Sequence, residues 1–394
     1  MDSSILIIVL SLAVLISYGF DLFSSRFQIP SVLLLLGLGM LTRLATTYFD
    51  VQVPYLDTIL PTLGTLGLIL IVLEGGLGLE LESTRLSVLN RTLLASLLSI
   101  IGGTLLIATM LYLLLNDSFY HCMVIALPFS IISSAASNSI ITSLTGWQQE
   151  FVVYESAFSS ILGIMAYNFL LLLSNKSALG AVWSFTRDTA IMALISVICC
   201  FLLLYLIGRI NHRIKFLPII SVLFLVYALA EINRLSSLLL ILIFGLFLNN
   251  TELFIRGRLS LILKNDLFEK ELEQLKNLTA EGAFVVRTFF FLIFGYIAIS
   301  ADLIDTDALI VSALFVFVII GWRWVTLRLT YRGRLTPLLW MAPRGLISLL
   351  LYLNIPESLR LLGFRNGIPM LVVVLSSLVM MAGSREKSVK SDER

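Results

Sequence analysis

The chain has 394 residues, of which 58% are hydrophobic and only 13% charged. A soluble domain carries about 25% charged residues to cover its surface, so a water-soluble fold is excluded, and no nucleic-acid partner is expected. The net charge of +2 decides little, because in a membrane the sidedness of positive charge matters more than its sum.

Apolar runs long enough to cross a bilayer as helices recur along the whole chain, which predicts an all-α polytopic membrane protein. The first, "ILIIVLSLAVLISYGF" within 3–20, lacks a basic leader region and reads as a retained span. Spans follow near 29–47, 58–79 and 92–115. The third holds Glu74 in "IVLEGGLGLEL", where the acid marks a helix end close to Glu80 and Glu82. The fifth, 119–144, carries Pro128 and then "SIISSAASNSIITS". The sixth, 152–174, opens on Glu155 within "YES", followed by Ser159 and Ser160. Three more lie near 186–208, 216–232 and 235–249.

The stretch from about 250 to 282 alternates leucine and phenylalanine with lysine and glutamate at helical spacing. It predicts an amphipathic segment lying on the membrane or on a neighbouring span, linking two halves of the chain. The final spans are 283–301, 306–324, 335–354 with "MAPRGLIS", and 367–383, before a charged tail at 385–394. The total is thirteen.

Basic residues support that count. Arg26, Arg85, Arg91, Arg209, Arg213, Lys215, the cluster from Arg256 to Lys276, Arg328, Arg332, Arg334 and the tail fall on one side. The other side has little beyond Arg43, Lys176, Arg187, Arg234, Arg360 and Arg365. The positive-inside rule then puts the carboxyl terminus in the cytoplasm and the amino terminus outside. Compact loops suggest a bacterial inner membrane.

Two spans are poor continuous helices. Proline removes a donor and glycine tolerates unwound backbone, so the fifth span and "APRG" around Arg344 read as interruptions or as a kink and a helix end. Each is the second-to-last span of a group of six, and paired interruptions of this kind point to an inverted-repeat secondary transporter. Charges inside the spans are expensive, so each needs a partner or water. Glu155 is expected either to pair with Arg344 or to reach the interface. Ser134, Ser137, Asn138, Ser159 and Ser160 are the candidate lining of a polar cavity, with Glu74 a secondary candidate. The cysteines Cys122, Cys199 and Cys200 and the histidines His121 and His212 show no metal-ligand spacing, and no enzyme activity, cofactor or metal is expected.

The segments "IPSVLLLLGLGMLTR", "LIVLEGGLGLEL", "RTFFFLIFGYIAISADLID" and "APRGLISLLLYLNIP" resemble, in order and spacing, the sodium/proton exchangers of the monovalent cation:proton antiporter superfamily. The resemblance implies thirteen spans, a homodimer, two crossed broken helices, and an arginine–glutamate pair that here would be Arg344 and Glu155. It also implies two acids that this chain lacks. A Gly-Glu-Ser-x-x-Asn-Asp segment places Asn-Asp at Ser159 and Ser160, and a Thr-Asp-Pro segment falls near Ala135 to Asn138, where no aspartate stands. A serine hydroxyl offers an oxygen to a cation but does not titrate near neutrality. Two functions follow: an antiporter with an altered ion site, or a transport-inactive relative serving a protein partner as a scaffold or subunit.

Overall fold

The computed structural model describes residues 3–27, 29–49, 56–79, 86–133, 144, 146–174, 176–209, 216–233, 237–251, 266–298, 305–331, 333, 335–361, 363–365 and 367–391. They form α1 (Ser3–Phe27), α2 (Ser31–Tyr48), α3 (Leu56–Gly78), α4 (Leu86–Leu115), α5 (Phe119–Ser130), α6 (Gly146–Leu173) and α7 (Ala178–Arg209). These are followed by α8 (Phe216–Ile232), α9 (Ser237–Asn249), α10 (Asp266–Ile297), α11 (Thr306–Thr330), α12 (Thr336–Trp340), α13 (Leu346–Leu353) and α14 (Ile368–Ser391). No strand occurs among the described residues. In hydrocarbon a backbone must satisfy its own hydrogen bonds, and the helix does so within one segment.

Seven helices are long and apolar enough to span a membrane, and five shorter apolar helices accompany them. The interrupted pair α12 and α13 brings the apolar segments to thirteen among the described residues. Some helices run past the expected span ends: α6 begins at Gly146 and α11 runs to Thr330. The stretch from Asp266 to Gly282 does not lie apart as a surface helix: it continues directly into the tenth span as one helix of 32 residues. Residues 252–265 lie outside the described set. The segment 385–391, expected as tail, continues α14.

The chain divides into two compact units: Met1–Thr65, Ser87–Gly163 and Val285–Arg394 form unit 1, and Leu66–Leu86 with Ile164–Phe284 form unit 2. In unit 2, α7 packs along α9. Ser196 Oγ and Cys200 Sγ on α7 donate to the carbonyls of Leu240 and Phe244 on α9. Gly76 and Gly245 let α3 and α9 approach backbone to backbone: a Cβ on Gly76 would stand 3.0 Å from the Leu242 carbonyl oxygen. Asn249 and Asn250 then donate to the Leu79 carbonyl just past the end of α3.

In unit 1, α11 packs against α14, and α13 against α5. At Gly39 and Gly295 the backbones of α2 and α10 meet so closely that a Cβ on Gly39 would lie 2.2 Å from the Leu292 carbonyl oxygen. Arg43 closes the end of that contact, its Nη1 donating to the Tyr296 and Ile297 carbonyls at the last turn of α10. These carbonyls have no helical partner of their own.

Candidate functional site

The site is built where two helices of unit 1, α5 and α12, give way to unwound backbone. Helix α5 ends at Ser130, and Ile131 turns to extended backbone (φ −81°, ψ 130°). Pro128, expected to mark the interruption, stays in the last turn of α5, and the unwinding begins three residues later. Helix α12 ends at Trp340, and residues 341–345 run without helix until α13 begins at Leu346. The two unwound segments meet: the Ser133 amide donates to the Pro343 carbonyl at 2.9 Å. Gly345 makes this approach possible, since a Cβ there would stand 2.2 Å from Ser133 Oγ. Side chains satisfy other freed amides. The Ile132 amide donates to Ser159 Oγ at 3.0 Å, and the Arg344 amide to Ser376 Oγ at 3.0 Å.

Beside this crossing lies a buried ion pair. Glu155, on α6, is 1% exposed and Arg323, on α11, 2%. Arg323 Nη1 donates to Glu155 Oε1 and Nη2 to Oε2, each at 2.9 Å, while its Nε donates to the Leu338 carbonyl at 2.8 Å. One guanidinium therefore ties α6 and α11 to the first half of the interrupted span. Ser96 Oγ on α4 donates to the Glu155 carbonyl at 2.8 Å. Next to Arg323, Trp322 presses its ring onto Gly102 and donates Nε1–H to the Leu98 carbonyl on α4. One helical turn away on either helix, Phe151 and Leu327 are completely buried in a cluster with Leu338 and Met341. Trp147 stacks there between Phe151 and Tyr331.

The partner of Glu155 is thus Arg323 and not Arg344. A span ending near residue 324 leaves Arg323 at a helix end, whereas α11 runs on to Thr330 and buries it. The signal was present in the sequence. Ile319, Arg323, Thr326, Leu327 and Thr330 fall at helical spacing on one buried face. Arg344 is itself buried, at 4% exposure, within electrostatic reach of Arg323 and Glu155. Its Nε and Nη1 have no hydrogen-bond partner among the described residues.

The other candidates separate. Ser159 is fully buried and holds the unwound backbone after α5. Ser160 donates back to the Ser156 carbonyl of its own helix at 2.9 Å. Ser134, Ser137 and Asn138 lie outside the described residues, as does His212. Glu74 is half-buried near the end of α3, in unit 2. His121 Nδ1 stands 3.5 Å from Asp117, one turn away. Among the described residues no three or more histidine, cysteine, aspartate or glutamate side chains gather to form a metal site.

Comparison with known proteins fits this geometry. The model of the sodium/hydrogen exchanger transmembrane family matches residues 9–385. The chain belongs to the sodium/hydrogen exchanger family. It is therefore a membrane transporter by family and not an enzyme. A structure of the sodium proton antiporter MjNhaP1 from Methanocaldococcus jannaschii at pH 8 is similar with a TM-score of 0.74 and 16% identity, covering 97% of this chain and 100% of that one. An electron-microscopy map of the same antiporter gives a TM-score of 0.68 and 16% identity, covering 99% and 96%. At that identity the likeness shows the antiporter fold. No curated protein sequence matches the chain.

Proposed function

We propose that this chain is a secondary active transporter exchanging sodium or another monovalent cation for protons through an altered ion site. The observation that carries the reading is the contact of two unwound segments in unit 1, from the Ser133 amide to the Pro343 carbonyl. Unwound backbone at membrane depth is tolerated where it is buried in protein or lines an ion path, and paired breaks are how secondary transporters build such a path. Free carbonyls and serine hydroxyls supply neutral oxygens to a dehydrated monovalent cation. They do not supply the charge that lets proton and cation compete.

Among the described residues Glu155 is the one buried carboxylate of unit 1. Proton coupling through it requires Arg323 to release at least one of the two oxygens it now holds. We place the protein as a homodimer in a bacterial inner membrane, with inverted repeats, its amino terminus outside and its carboxyl terminus cytoplasmic. The bulk of the chain to residue 384 is then the transport domain.

A second reading has its own support: a transport-inactive member acting as a membrane scaffold or subunit. Both Glu155 oxygens are committed, and serines 159 and 160 serve backbone and helix hydrogen bonds. Proteoliposomes separate the two. With a pH-sensitive dye inside and imposed sodium, potassium or lithium gradients, the transporter reading expects cation-dependent proton movement that Glu155→Gln abolishes. Silence with all three cations, from protein that remains folded, supports the scaffold.

A further inference from the structure

At one end of unit 1, the last turn of α4, the first turns of α11 and the start of α14 enclose a half-open cleft of about 340 Å³. Its wall is aliphatic, with Leu111, Leu114, Leu115, Ile310, Val311 and Ile368. Leu111 and Ile368 are buried on its floor, whereas Leu114 and Ile310 are more than half exposed and face outward beside it. Gly363 shapes the mouth. Its φ of +102° is open to glycine at little cost, and the nearest atom to a Cβ there would be Leu115 Cδ2 at 3.7 Å, so the space stays clear.

The rim is charged. Arg365, on the lining, stands 3.3 Å from Asp305 Oδ2 and 3.3 Å from Asp307 Oδ2. Both contacts are longer than the 2.7–2.9 Å or so of a tight charge-assisted bond. Asp305 Oδ2 is buried and accepts no hydrogen bond among the described residues. One arginine between two aspartates leaves the trio one negative charge in excess.

We propose that this cleft holds a membrane phospholipid whose headgroup joins a phosphate to a primary amine. One acyl chain lies along the aliphatic wall. The ammonium takes the place of the Arg365 Nη groups on Asp305 and Asp307, and the guanidinium so released donates to the phosphate, a bidentate match for an oxyanion. The charge pattern selects this headgroup over its relatives. An anionic glycerol headgroup adds a second uncompensated negative charge and brings no cation for the aspartates. A trimethylated choline has the charge of the amine but no N–H to donate. The proposal does not depend on how the chain transports.

Native mass spectrometry of the detergent-purified protein tests it, with ethanolamine, choline and glycerol phospholipids of identical chains offered at equal concentration. The ethanolamine lipid should bind with one copy per chain, about tenfold more tightly than the choline lipid, the worth of one charge-assisted hydrogen bond. Asp305→Asn/Asp307→Asn should erase that preference while choline-lipid binding persists, which also reports that the variant is folded. Val311→Trp, filling the cleft, should weaken all three. Equal binding of the ethanolamine and choline lipids by the parent overturns the proposal. So does a preference that survives in the double asparagine variant, or ethanolamine-lipid binding that is undiminished in Val311→Trp.

Discussion

Arg323 directs Nε, Nη1 and Nη2 at a carbonyl and a carboxylate, while Arg344, equally buried, leaves Nε and Nη1 without acceptors among the described residues. Their removal should therefore have opposite consequences. Breaking one side of a buried pair costs about 3–5 kcal/mol, because the remaining charge is stranded. Arg323→Gln or Glu155→Gln should lose stability on that scale in thermal unfolding of the detergent-solubilised protein. Arg344→Met should be neutral or stabilising, since it removes a buried charge that lacks those bonds. A double-mutant cycle should give Glu155 a strong coupling to Arg323 and a weak one to Arg344. The reverse ordering would refute the pairing described above. From the sequence, Glu155 is expected to meet either Arg344 or the interface, and Arg323 is not among the candidates. Both arginines are flanked by apolar residues, and the choice rests on how far α11 extends, which hydropathy alone does not set.

At the scale of helices, contacts are controlled by the residues that are small enough to permit them. Gly37 and Gly39 provide a paired test on one helix. A Cβ on Gly37 meets nothing within 4 Å, whereas on Gly39 it would stand 2.2 Å from a backbone oxygen of α10. Gly37→Ala should be neutral or raise stability by up to about 1 kcal/mol through helix propensity. Gly39→Ala should lower it by about 1–3 kcal/mol or more, because a backbone must move. Unfolding temperatures of the two variants check this, and equal effects would contradict the close approach of α2 and α10. The break at "MAPRGLIS" was legible because proline and glycine flank it. The break after α5 was harder to place, since the chain unwinds at Ile131 and not at Pro128. The joining of 266–282 to the tenth span was hidden for another reason. Its charged residues lower the hydropathy of that stretch, but they do not stop a helix, which ends at caps and backbone turns.

For the whole molecule, the class, the thirteen apolar segments and the two interruptions follow from composition and spacing, because a bilayer leaves the backbone few choices. The ion chemistry was less legible. It depends on side chains brought together from α4, α6, α11 and α12, and on serines whose role as hydrogen-bond partners of unwound backbone has no sequence signature. The family's acid positions also give a test of gain. Ser160→Asp adds a carboxylate beside the crossing at the place where the resemblance puts one, and should increase cation-dependent proton exchange if the scaffold still moves. The most direct measurement is therefore proton flux in proteoliposomes of the parent and Ser160→Asp side by side, under sodium, potassium and lithium gradients. Exchange in the parent, strengthened in Ser160→Asp, is the predicted result. A silent parent beside an active Ser160→Asp would contradict it and show that the natural chain keeps the exchanger fold without the exchange.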